Sequence, residues 1–385
     1  MCTFLYVLLK NSILGIGYRV MKIKKVQQKE ERLWNLLSKE DCMKNLEAEE
    51  FNRITVSFYK YVEIKNPQEM RDNLWRRWNE LGCLGRIYIA REGINAQMSV
   101  PEHNWETFKK ELYEIPEFTN IPFKIGIIQD SKSFWKLAIT VKKNIVADGL
   151  HFGEYDIENV GTHLTAEEFN AAMEDPDTIV VDMRNQYESE IGHFDGAMCH
   201  DVDTFRDQLP MVADDISDKK DKKLLLYCTG GIRCEKASAY FKHKGFTDVN
   251  QLHGGVIAYK HQVEKQGLEN KFLGANYVFD GRDKERIGDQ IISHCHQCGT
   301  KSDRHVNCAN KSCNLLFLQC EDCEEKNTKA CSKKCKKIAS WSPEKQKQYY
   351  KRHGKSSQKK FSKSLRPKKI RAKKSPWELL KNIFA

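Results

Sequence analysis

The chain has 385 residues, of which 40% are hydrophobic and 10% aromatic. These values exclude a wholly disordered chain and predict two or three globular domains with real cores. The net charge of +11 is uneven, because residues 341–385 hold 15 Lys/Arg and two acidic residues, which leaves the rest of the chain near −2. A surface for an acidic partner is therefore expected in the tail.

The first 20 residues predict neither a signal peptide nor a membrane anchor. The apolar stretch from Phe4 to Val20 is interrupted by Lys10 and Arg19, and no small-residue cleavage site stands out. Met21 starts a more ordinary N-terminus, so we interpret residues 1–20 as an extension from an upstream start codon. We expect no stable association with a membrane.

Residues 1–50 form an N-terminal extension ahead of the first predicted domain. Its second half, residues 27–50, is highly charged and carries Leu33, Leu36 and Leu37 at helical spacing. This pattern predicts a short amphipathic helix.

Residues 51–150 are predicted to form a ferredoxin-like α+β domain. The element order is β-α-β-β-α-β, which is that of the split β-α-β motif. Strands are predicted at 54–61, 86–90, 96–100 and 123–129, helices after residue 67 and around 105–112, and a further strand at 136–141. Exposed sheets of this kind often bind RNA, but the stacking aromatics of an RRM are not evident, so RNA binding and a purely structural role both stay open.

Residues 151–275 alternate short apolar strands with helices, which predicts a parallel sheet in an α/β domain. Thr165 and Glu168 form a capping box at one helix start, and a strand at 178–182 ends at Asp182. Ligands of such sheets bind at the carboxyl ends of the strands. We therefore expect Asp182, Arg184 and Cys228 to converge there.

The reactive group of the protein is expected in residues 222–246. Their pattern predicts a buried strand, a tight loop and a helix that runs to about residue 244. Gly230 and Gly231 let several loop N–H groups point at one place, and the positive end of the helix faces the same place. A thiol held there, with Arg233 across the loop, should ionise near neutral pH. Cys228 is therefore the candidate nucleophile.

The spacing within this loop separates two chemistries. Four residues lie between Cys228 and Arg233, whereas Cys-based phosphatases have five, so the smaller cradle suits sulfur or a persulfide better than phosphate. Thr229 and Ile232 complete the supporting loop with the two glycines. Cys234 could resolve an oxidised or persulfidated Cys228, or it could simply pack as a wall residue. The alternative for Cys228 is a small hydrophobe at the end of a strand.

The loop resembles that of the rhodanese family, in which the cysteine carries a persulfide. Gly-His-x-x-Gly-Ala at 192–197, Gly-Gly at 254–255 and the Asp-x-Arg sequence at Asp182 and Arg184 match further features of rhodanese domains. For Asp182 and Arg184 we favour a salt bridge that braces the loop over direct catalysis.

Residues 276–340 are predicted to form a small cysteine-rich, zinc-type module. Eight cysteines make four closely spaced pairs, which is typical of metal sites and of a reducing compartment: Cys295 and Cys298, Cys308 and Cys313, Cys320 and Cys323, and Cys331 and Cys335. Two sites of four thiolates would leave no open position for chemistry, so a structural role is expected. Pairing in order, crossed pairing and a redox-active thiol cluster all stay open, and His294, His296 and His305 are possible substitute ligands or hydrogen-bond partners of the ligands.

Residues 341–385 are predicted to be a basic, largely disordered tail. The Lys/Arg runs at 359–360, 366–369 and 371–374 are of the kind that bind phosphate backbones without reading sequence. A solvated tail is the alternative, and the two interpretations are compatible.

From about Arg53 to about Cys335, the chain resembles the bacterial oxygen-dependent tRNA uridine(34) hydroxylases that contain a rhodanese domain. The resemblance excludes the N-terminal extension and the basic tail. It rests on Ile-Thr-Val-Ser-Phe-Tyr-Lys-Tyr (54–61), Arg-Glu-Gly-Ile-Asn-Ala-Gln (91–97), Ser-Phe-Trp-Lys (133–136), Ile-Val-Ala-Asp-Gly (145–149), Asp-Met-Arg-Asn (182–185), Tyr-Cys-Thr-Gly-Gly-Ile-Arg-Cys-Glu-Lys-Ala-Ser-Ala (227–239) and His-Cys-His-Gln-Cys-Gly (294–299).

The metal-type spacing of the cysteines predicts a cytoplasmic protein. The resemblance implies an enzyme that forms 5-hydroxyuridine at the wobble position of tRNA with molecular oxygen, and it maps the family's cysteine onto Cys228. The sequence shows no flavin or haem motif and no evident iron facial triad, and it does not identify the electron donor. As a hypothesis, the Cys228 thiolate adds to carbon 6 of uracil and makes carbon 5 reactive toward oxygen, while loop N–H groups and Arg233 steady the developing charge. A persulfide on Cys228 is the alternative. The anticodon stem-loop is the expected partner, because its bases can splay out of the stack.

Two other classes of function stay open. The residue chemistry alone would favour a sulfurtransferase that passes sulfur from Cys228 to an acceptor, whereas the resemblance favours the hydroxylase. A non-catalytic RNA-binding protein would use the same fold as a scaffold. Both enzymatic interpretations predict an open path, lined by positive charge, from solvent to the Cys228 sulfur.

Overall fold

The computed structural model describes residues 32–127, 133–150, 153–282 and 284–353. Within these described residues, all the elements below lie in one compact unit that begins at residue 34. The predicted extension at residues 1–20 and the basic runs after residue 353 lie outside the described residues. Within the described part of the chain, no helix is both long and apolar enough to cross a membrane.

A short helix, α1 (Lys39–Glu47), precedes the first sheet. The Ser38 hydroxyl accepts a hydrogen bond from the N–H of Asp41 and so fixes the start of the helix. The three leucines that predicted a helix here all come before that start, and Leu36 and Leu37 are exposed. The helix therefore forms later in the chain than the leucine spacing indicated.

The first sheet has the predicted ferredoxin-like order. Its strands run β4-β1-β3-β2-β5, with β5 parallel to β2 and the other neighbours antiparallel. This confirms the split motif and adds the further strand at the edge beside β2. The elements are β1 Arg53–Tyr61, α2 Pro67–Glu80, β2 Leu84–Ala90, β3 Gly93–Pro101, α3 Trp105–Tyr113, β4 Lys124–Ile125 and β5 Leu137–Val141.

Alternation along β1 gives this sheet two different faces. Val56 and Phe58 are buried in a core that includes Trp78 of α2. Because successive side chains point to opposite faces of a strand, Tyr59 and Tyr61 project away from that core. The face that carries the two tyrosines is therefore free to meet the next part of the chain.

The second sheet is parallel throughout, as predicted. Its strand order is β6-β10-β9-β7, and the capping box of Thr165 and Glu168 forms at the start of α4. The elements are β6 Thr162–Leu164, α4 Ala166–Met173, β7 Ile179–Asp182, α5 Gln186–Ser189, β8 Gly192–Phe194, α6 Phe205–Asp215, β9 Lys223–Tyr227, α7 Ile232–His243, β10 Asp248–Leu252 and α8 Gly255–Gln266.

The C-terminal elements form two small sheets and three helices. One sheet has the order β12-β11-β8 and the other pairs β13 with β14. Because β11 crosses residue 275 and pairs with β8, the last two predicted domains share a sheet, and the boundaries drawn from the sequence stay a prediction. The elements are β11 Phe272–Tyr277, β12 Lys284–Arg286, β13 His305–Asn307, β14 Leu316–Leu318, α9 Glu321–Asn327, α10 Lys333–Ala339 and α11 Pro343–His353.

Polar contacts hold the tyrosine-bearing face of the first sheet against α7. The Tyr61 hydroxyl donates to the carbonyl of Ile232 over 3.2 Å. Lys236 is almost completely buried and pairs with Glu92 at 3.0 Å and with Asp148 at 2.8 Å. A buried ammonium with two carboxylate partners is costly to expose, so these contacts fix α7 relative to the first sheet.

Candidate functional site

The Cys228 loop is a ring of backbone donors around one sulfur. Gly231 caps α7 with a φ of 94° and donates its N–H to the Cys228 Sγ at 3.1 Å. The backbone N–H groups of Arg233 and Cys234 also hydrogen-bond to this sulfur. A positive φ is accessible to glycine at little cost, so Gly231 allows the turn that aims these groups inward.

These contacts favour the anionic form of the thiol. Burial would raise the pKa of Cys228, but the Cys234 thiol, the charge of Arg233 and the loop N–H groups lower it from 9.0 to about 6. The pKa of Cys234 is instead raised well above its ordinary value, by burial and by the neighbouring Cys228. The loop therefore distinguishes an anion at Cys228 from a neutral thiol at Cys234.

The start of α8 fixes the loop from the other side. The N–H of Val256 donates to the Cys228 carbonyl over 3.0 Å, and that of Ile257 donates to the Thr229 carbonyl over 3.2 Å. A Cβ on Gly255 would lie 2.4 Å from the Cys228 carbonyl oxygen. The late Gly-Gly pair is thus needed for the close approach of two backbones.

The hydrogen bonds of the Arg233 guanidinium go to Glu188 and Thr229. The guanidinium makes two hydrogen bonds to the buried Glu188 carboxylate, at 2.7 and 2.9 Å, and one to Thr229 Oγ1 at 3.3 Å. Thr229 in turn donates to Glu188 at 3.2 Å. Arg233 therefore acts on Cys228 through its backbone N–H and its longer-range charge, and its catalytic role stays a prediction.

Asp182 and Arg184 meet each other and not the sulfur. Arg184 forms a forked pair with Asp182, with an Nη2–Oδ2 distance of 2.7 Å, and also donates to the Gly192 carbonyl. The Tyr227 hydroxyl, one residue before Cys228, donates to Asp182 at 2.8 Å. All of these groups are buried. This geometry supports the interpretation that the pair braces the loop.

Cys228 is fully buried, with 0% of its surface exposed. Thr229, Gly230 and Ile232 around it are partly exposed, so the loop itself reaches the surface. The open path expected from the sequence is absent among the described residues, because side chains cover the sulfur. The charges of Arg233 and Lys124 act on the sulfur, and a positive surface that leads to it stays a prediction.

The cover includes two side chains from the first sheet. A Cβ on Gly231 would lie 2.7 Å from the Tyr59 hydroxyl, and one on Gly230 would lie 3.8 Å from the Lys124 Cδ. The Tyr59 hydroxyl donates to Glu235 over 2.9 Å, which places the ring beside the first turn of α7. The site is therefore built from two sheets.

Sequence reasoning assigned no role to Tyr59, Lys124 or Glu188. The alternation in β1 could have indicated a second buried face at Tyr59, and the Asn185-x-x-Glu188 capping box could have placed Glu188 at a helix start. No local signal identifies Lys124. Its position follows only from the packing of the first sheet on the loop.

The eight cysteines of the C-terminal module form two clusters with crossed pairing. The first pair joins the third and the second joins the fourth, and within each cluster all sulfurs lie within 4.8 Å of one another: Cys295, Cys298, Cys320 and Cys323 in one, and Cys308, Cys313, Cys331 and Cys335 in the other. This resolves the choice between pairing in order and crossed pairing. Such a cross-brace ties four distant segments together.

The cluster geometry fits a tetrahedral thiolate site. The Sγ–Sγ distances are 3.5 Å for Cys298 and Cys320 and 3.7 Å for Cys313 and Cys331. Four sulfurs at about 2.3 Å from one ion would be about 3.8 Å apart, whereas a disulfide has about 2.05 Å. In the described part of the chain every cysteine is free. Each cluster could therefore hold a metal ion.

The histidines near these clusters supply no ligand atoms to them. His296 bonds through Nε2 to Glu190 at 2.8 Å and accepts the N–H of Leu318 at Nδ1. Glu190 follows directly on α5, the helix that carries Glu188. The module is thereby connected to the element that supports Arg233.

Three family models match consecutive parts of the chain. Residues 53–145 match the "UPF0176 acylphosphatase like domain". Residues 165–262 match the "Rhodanese-like domain", and residues 273–336 match "Rhodanase C-terminal". The Cys228 loop lies inside the second match and the two cysteine clusters lie inside the third.

Relatives with one shared name cover most of the chain. A tRNA uridine(34) hydroxylase of Leptospira interrogans is 54% identical over 347 residues, which are 90% of this chain and 94% of that protein. Proteins of the same name from Photorhabdus laumondii and Escherichia fergusonii are 48% and 47% identical, over 79% and 82% of this chain and 87% and 90% of their own lengths. With such identity along nearly the whole length, this chain belongs to the tRNA uridine(34) hydroxylase family.

Proposed function

We propose that this protein hydroxylates the wobble uridine of tRNA to 5-hydroxyuridine with molecular oxygen, and that Cys228 is its nucleophile. One observation carries the proposal: in a chain of this family, the Cys234 thiol, the charge of Arg233 and the loop N–H groups together lower the pKa of the Cys228 thiol to about 6. At neutral pH the thiolate predominates, and the thiolate is the form that attacks carbon.

The reaction begins with addition of the thiolate to carbon 6 of the uracil. The electron pair of the carbon 5–carbon 6 double bond moves toward the carbonyl at carbon 4, and carbon 5 becomes enolate-like. Carbon 5 then takes one oxygen atom from O₂, and the other is reduced to water with protons from solvent and two electrons from an external reductant. Loss of the hydrogen on carbon 5 and release of the Cys228 thiolate give 5-hydroxyuridine.

The loop residues have supporting roles in this scheme. The N–H groups of Gly231, Arg233 and Cys234 stabilise the thiolate before attack and after release. The Arg233 side chain, held by Glu188, contributes its charge from behind the loop. Thr229, Gly230 and Ile232 shape the rim. Asp182 and Arg184 hold the end of the strand that carries Cys228.

The substrate that suits this site is the anticodon stem-loop of a tRNA. A buried sulfur can reach only a base that has left the stack, and anticodon bases can do so. Lys333, Lys334, Lys336 and Lys337 on α10 are largely exposed and begin a basic region that continues into the tail after residue 353. We assign this region to phosphate contacts that position the RNA. A cytoplasmic location follows from this substrate.

Zinc is the metal that best suits the two cysteine clusters. Clusters of four thiolates are typical of structural zinc, and the Cys308 sulfur accepts the N–H of Cys331 at 3.5 Å, as a thiolate ligand would. The eight cysteines complete both coordination spheres, so this zinc would stabilise the fold and take no part in the reaction.

For the domain organisation, we retain the boundaries predicted from the sequence, at residues 50, 150, 275 and 340.

A sulfurtransferase is the second candidate. It is favoured by the match of residues 165–262 to the rhodanese-like model and by the short loop between Cys228 and Arg233. Thiolation of cyanide from thiosulfate, at a rate comparable with that of tRNA hydroxylation, would support it. A protein that only binds RNA would retain its effect on cells after loss of Cys228.

The test is nucleoside mass spectrometry of tRNA from cells without the protein, complemented with wild type or with Cys228→Ser. We expect 5-hydroxyuridine to return with wild type and not with the variant, and to carry ¹⁸O when the cells grow under ¹⁸O₂. Full modification by Cys228→Ser, or ¹⁸O incorporation from water alone, would contradict the proposal.

A further inference from the structure

Lys124 lies against the Cys228 loop and has no carboxylate partner among the residues that the structure describes. Its ammonium is 4.1 Å from the centroid of the Tyr59 ring. Its methylene chain packs on the loop, because a Cβ on Gly230 would be 3.8 Å from Cδ and one on Gly254 would be 3.7 Å from Cε. Among the described residues, Cys228 and Glu235 act on this ammonium only through longer-range charge.

An unpaired, half-buried ammonium has an energetic cost. Burial lowers the pKa of Lys124 to about 8, and the charges of Cys228 and Glu235 oppose that decrease. Glu235 does not pair with Lys124, because its carboxylate already bonds Tyr59, His163 and Gln251. The described part of the fold thus keeps a cation near the thiolate with no carboxylate bound to it.

The two arginines of the site are already held in buried ion pairs. Arg233 is engaged with Glu188 and Thr229, and Arg184 with Asp182 and Gly192. An anion that forms next to the sulfur can therefore recruit Lys124 without breaking an ion pair. Breaking a buried pair would cost several kcal/mol.

Addition of a thiolate to uracil forms such an anion. A sulfur–carbon bond forms at carbon 6, the former double-bond pair moves through carbon 4 onto oxygen 4, and no group is oxidised. Resting on the function proposed above, we propose that Lys124 donates a hydrogen bond to oxygen 4 and stabilises this enolate. The first sheet would then supply a catalytic group to a cysteine on the second.

The covered state of Cys228 fits this role. Tyr59 is bonded to Glu235 and is the fixed part of the cover, whereas the Lys124 chain, within the described part of the structure, lies against the Tyr59 ring and the loop glycines. A base that enters beside Tyr59 displaces the Lys124 chain, and the ammonium can follow oxygen 4. The sulfur is then exposed only when the base is present.

The experiment compares Lys124→Met and Lys124→Arg with wild type in steady-state hydroxylation of purified tRNA at several pH values. We expect Lys124→Met to lower kcat by about 100-fold, the effect of removing one donor to a developing oxyanion, and to change KM by less than about threefold. Lys124→Arg should recover most of the rate, because it restores the cation. Lys60→Met is the matched control: this lysine lies on β1 and donates to the Thr119 carbonyl, away from the loop.

The pH profile separates catalysis from packing. Lys124 is faced by Cys228 from the loop, Tyr59 from β1, Glu235 from α7 and His253 from the turn after β10. Wild-type kcat should fall above about pH 8, as the ammonium loses its proton, and Lys124→Arg should remove that fall. A purely structural lysine would change thermal stability in Lys124→Met and leave the profile unaltered.

The outcomes are distinct. If wild type hydroxylates and Lys124→Met matches it in kcat, the inference is wrong and the proposed function stands. If Lys124→Arg is as slow as Lys124→Met, with no change in the alkaline limb, the inference is also wrong. If wild type itself forms no 5-hydroxyuridine, the proposed function fails and the inference falls with it.

Discussion

The Cys228 loop and the cysteine-rich module use the same side chain in opposite ways. In the loop, backbone N–H groups and one neighbouring thiol surround a single sulfur, which keeps a low pKa and no covalent partner. In the module, each sulfur has three others within 4.8 Å, a set that an ion can close completely. The comparison teaches that the number and kind of neighbours decide whether a cysteine reacts or holds the fold together.

The largest effect is expected from Cys228→Ser. A serine hydroxyl stays protonated at neutral pH, so hydroxylation should fall by at least about 10³-fold, while the hydrogen bond from Gly231 remains possible and the fold is retained. The measurements are 5-hydroxyuridine yield and thermal unfolding. Cys199→Ser, at an exposed cysteine outside both regions, is the control and should keep full activity.

Cys323→Ser should affect the fold more than the reaction, the reverse of what we expect for Cys228→Ser. It removes one thiolate of the first cluster, so we expect metal content, measured by native mass spectrometry, to fall from two ions per chain to one. Protease sensitivity should rise around α9, and hydroxylation should fall by about tenfold, because His296 no longer holds Glu190 beside α5. Unchanged metal content in the variant would remove the distinction between the two regions.

Glu188→Gln should separate stability from thiol acidity. Glu188 is fully buried against Arg233, so its replacement leaves a buried charge unpaired and should destabilise the protein by about 3–5 kcal/mol. Because a negative charge near the loop is lost, the pKa of Cys228 should fall further. Denaturant unfolding and thiolate absorbance at 240 nm measure the two effects. A rise in the thiol pKa would show that Arg233 has left the loop.

Cys234→Ala should give the smallest change. The Cys234 thiol is the strongest of the contacts that lower the pKa of Cys228, so its loss should move that pKa from about 6 toward 9.0. Since the thiolate protonates as pH falls through its pKa, the acid limb of activity should shift to higher pH. The pKa of the Cys228 thiol is obtained from absorbance at 240 nm, as the difference between the titration curves of Cys234→Ala and Cys228→Ser. An unshifted titration would assign Cys234 to packing alone.

Local patterns were enough to predict much of the fold and the reactive loop. The alternating runs of the first sheet, the capping box at Thr165 and the glycines before α7 all act within a few residues, so the sequence displays them directly. The paired, closely spaced cysteines likewise predicted metal sites, although the spacing could not decide how the pairs combine.

What the sequence did not predict depends on contacts between distant segments. Lys124 reaches Gly230 only because two sheets pack together, and Arg233 turns to Glu188, which lies 45 residues earlier. The cover over Cys228 has the same origin. No single-sequence pattern reports such contacts, because many arrangements of the same elements share the same local signals.

The most direct test of the central claim is a covalent trap. Without oxygen, the enolate that forms when the thiolate adds to 5-fluorouridine in tRNA should take a proton at carbon 5, which leaves a saturated thioether between carbon 6 and the Cys228 sulfur and no hydroxylated product. Trypsin then releases residues 224–233, in which Cys228 is the only cysteine. We expect the nucleotide mass on that peptide in wild type and none in Cys228→Ser. An adduct on another residue, or hydroxylation by wild type with no adduct at Cys228, would contradict the account.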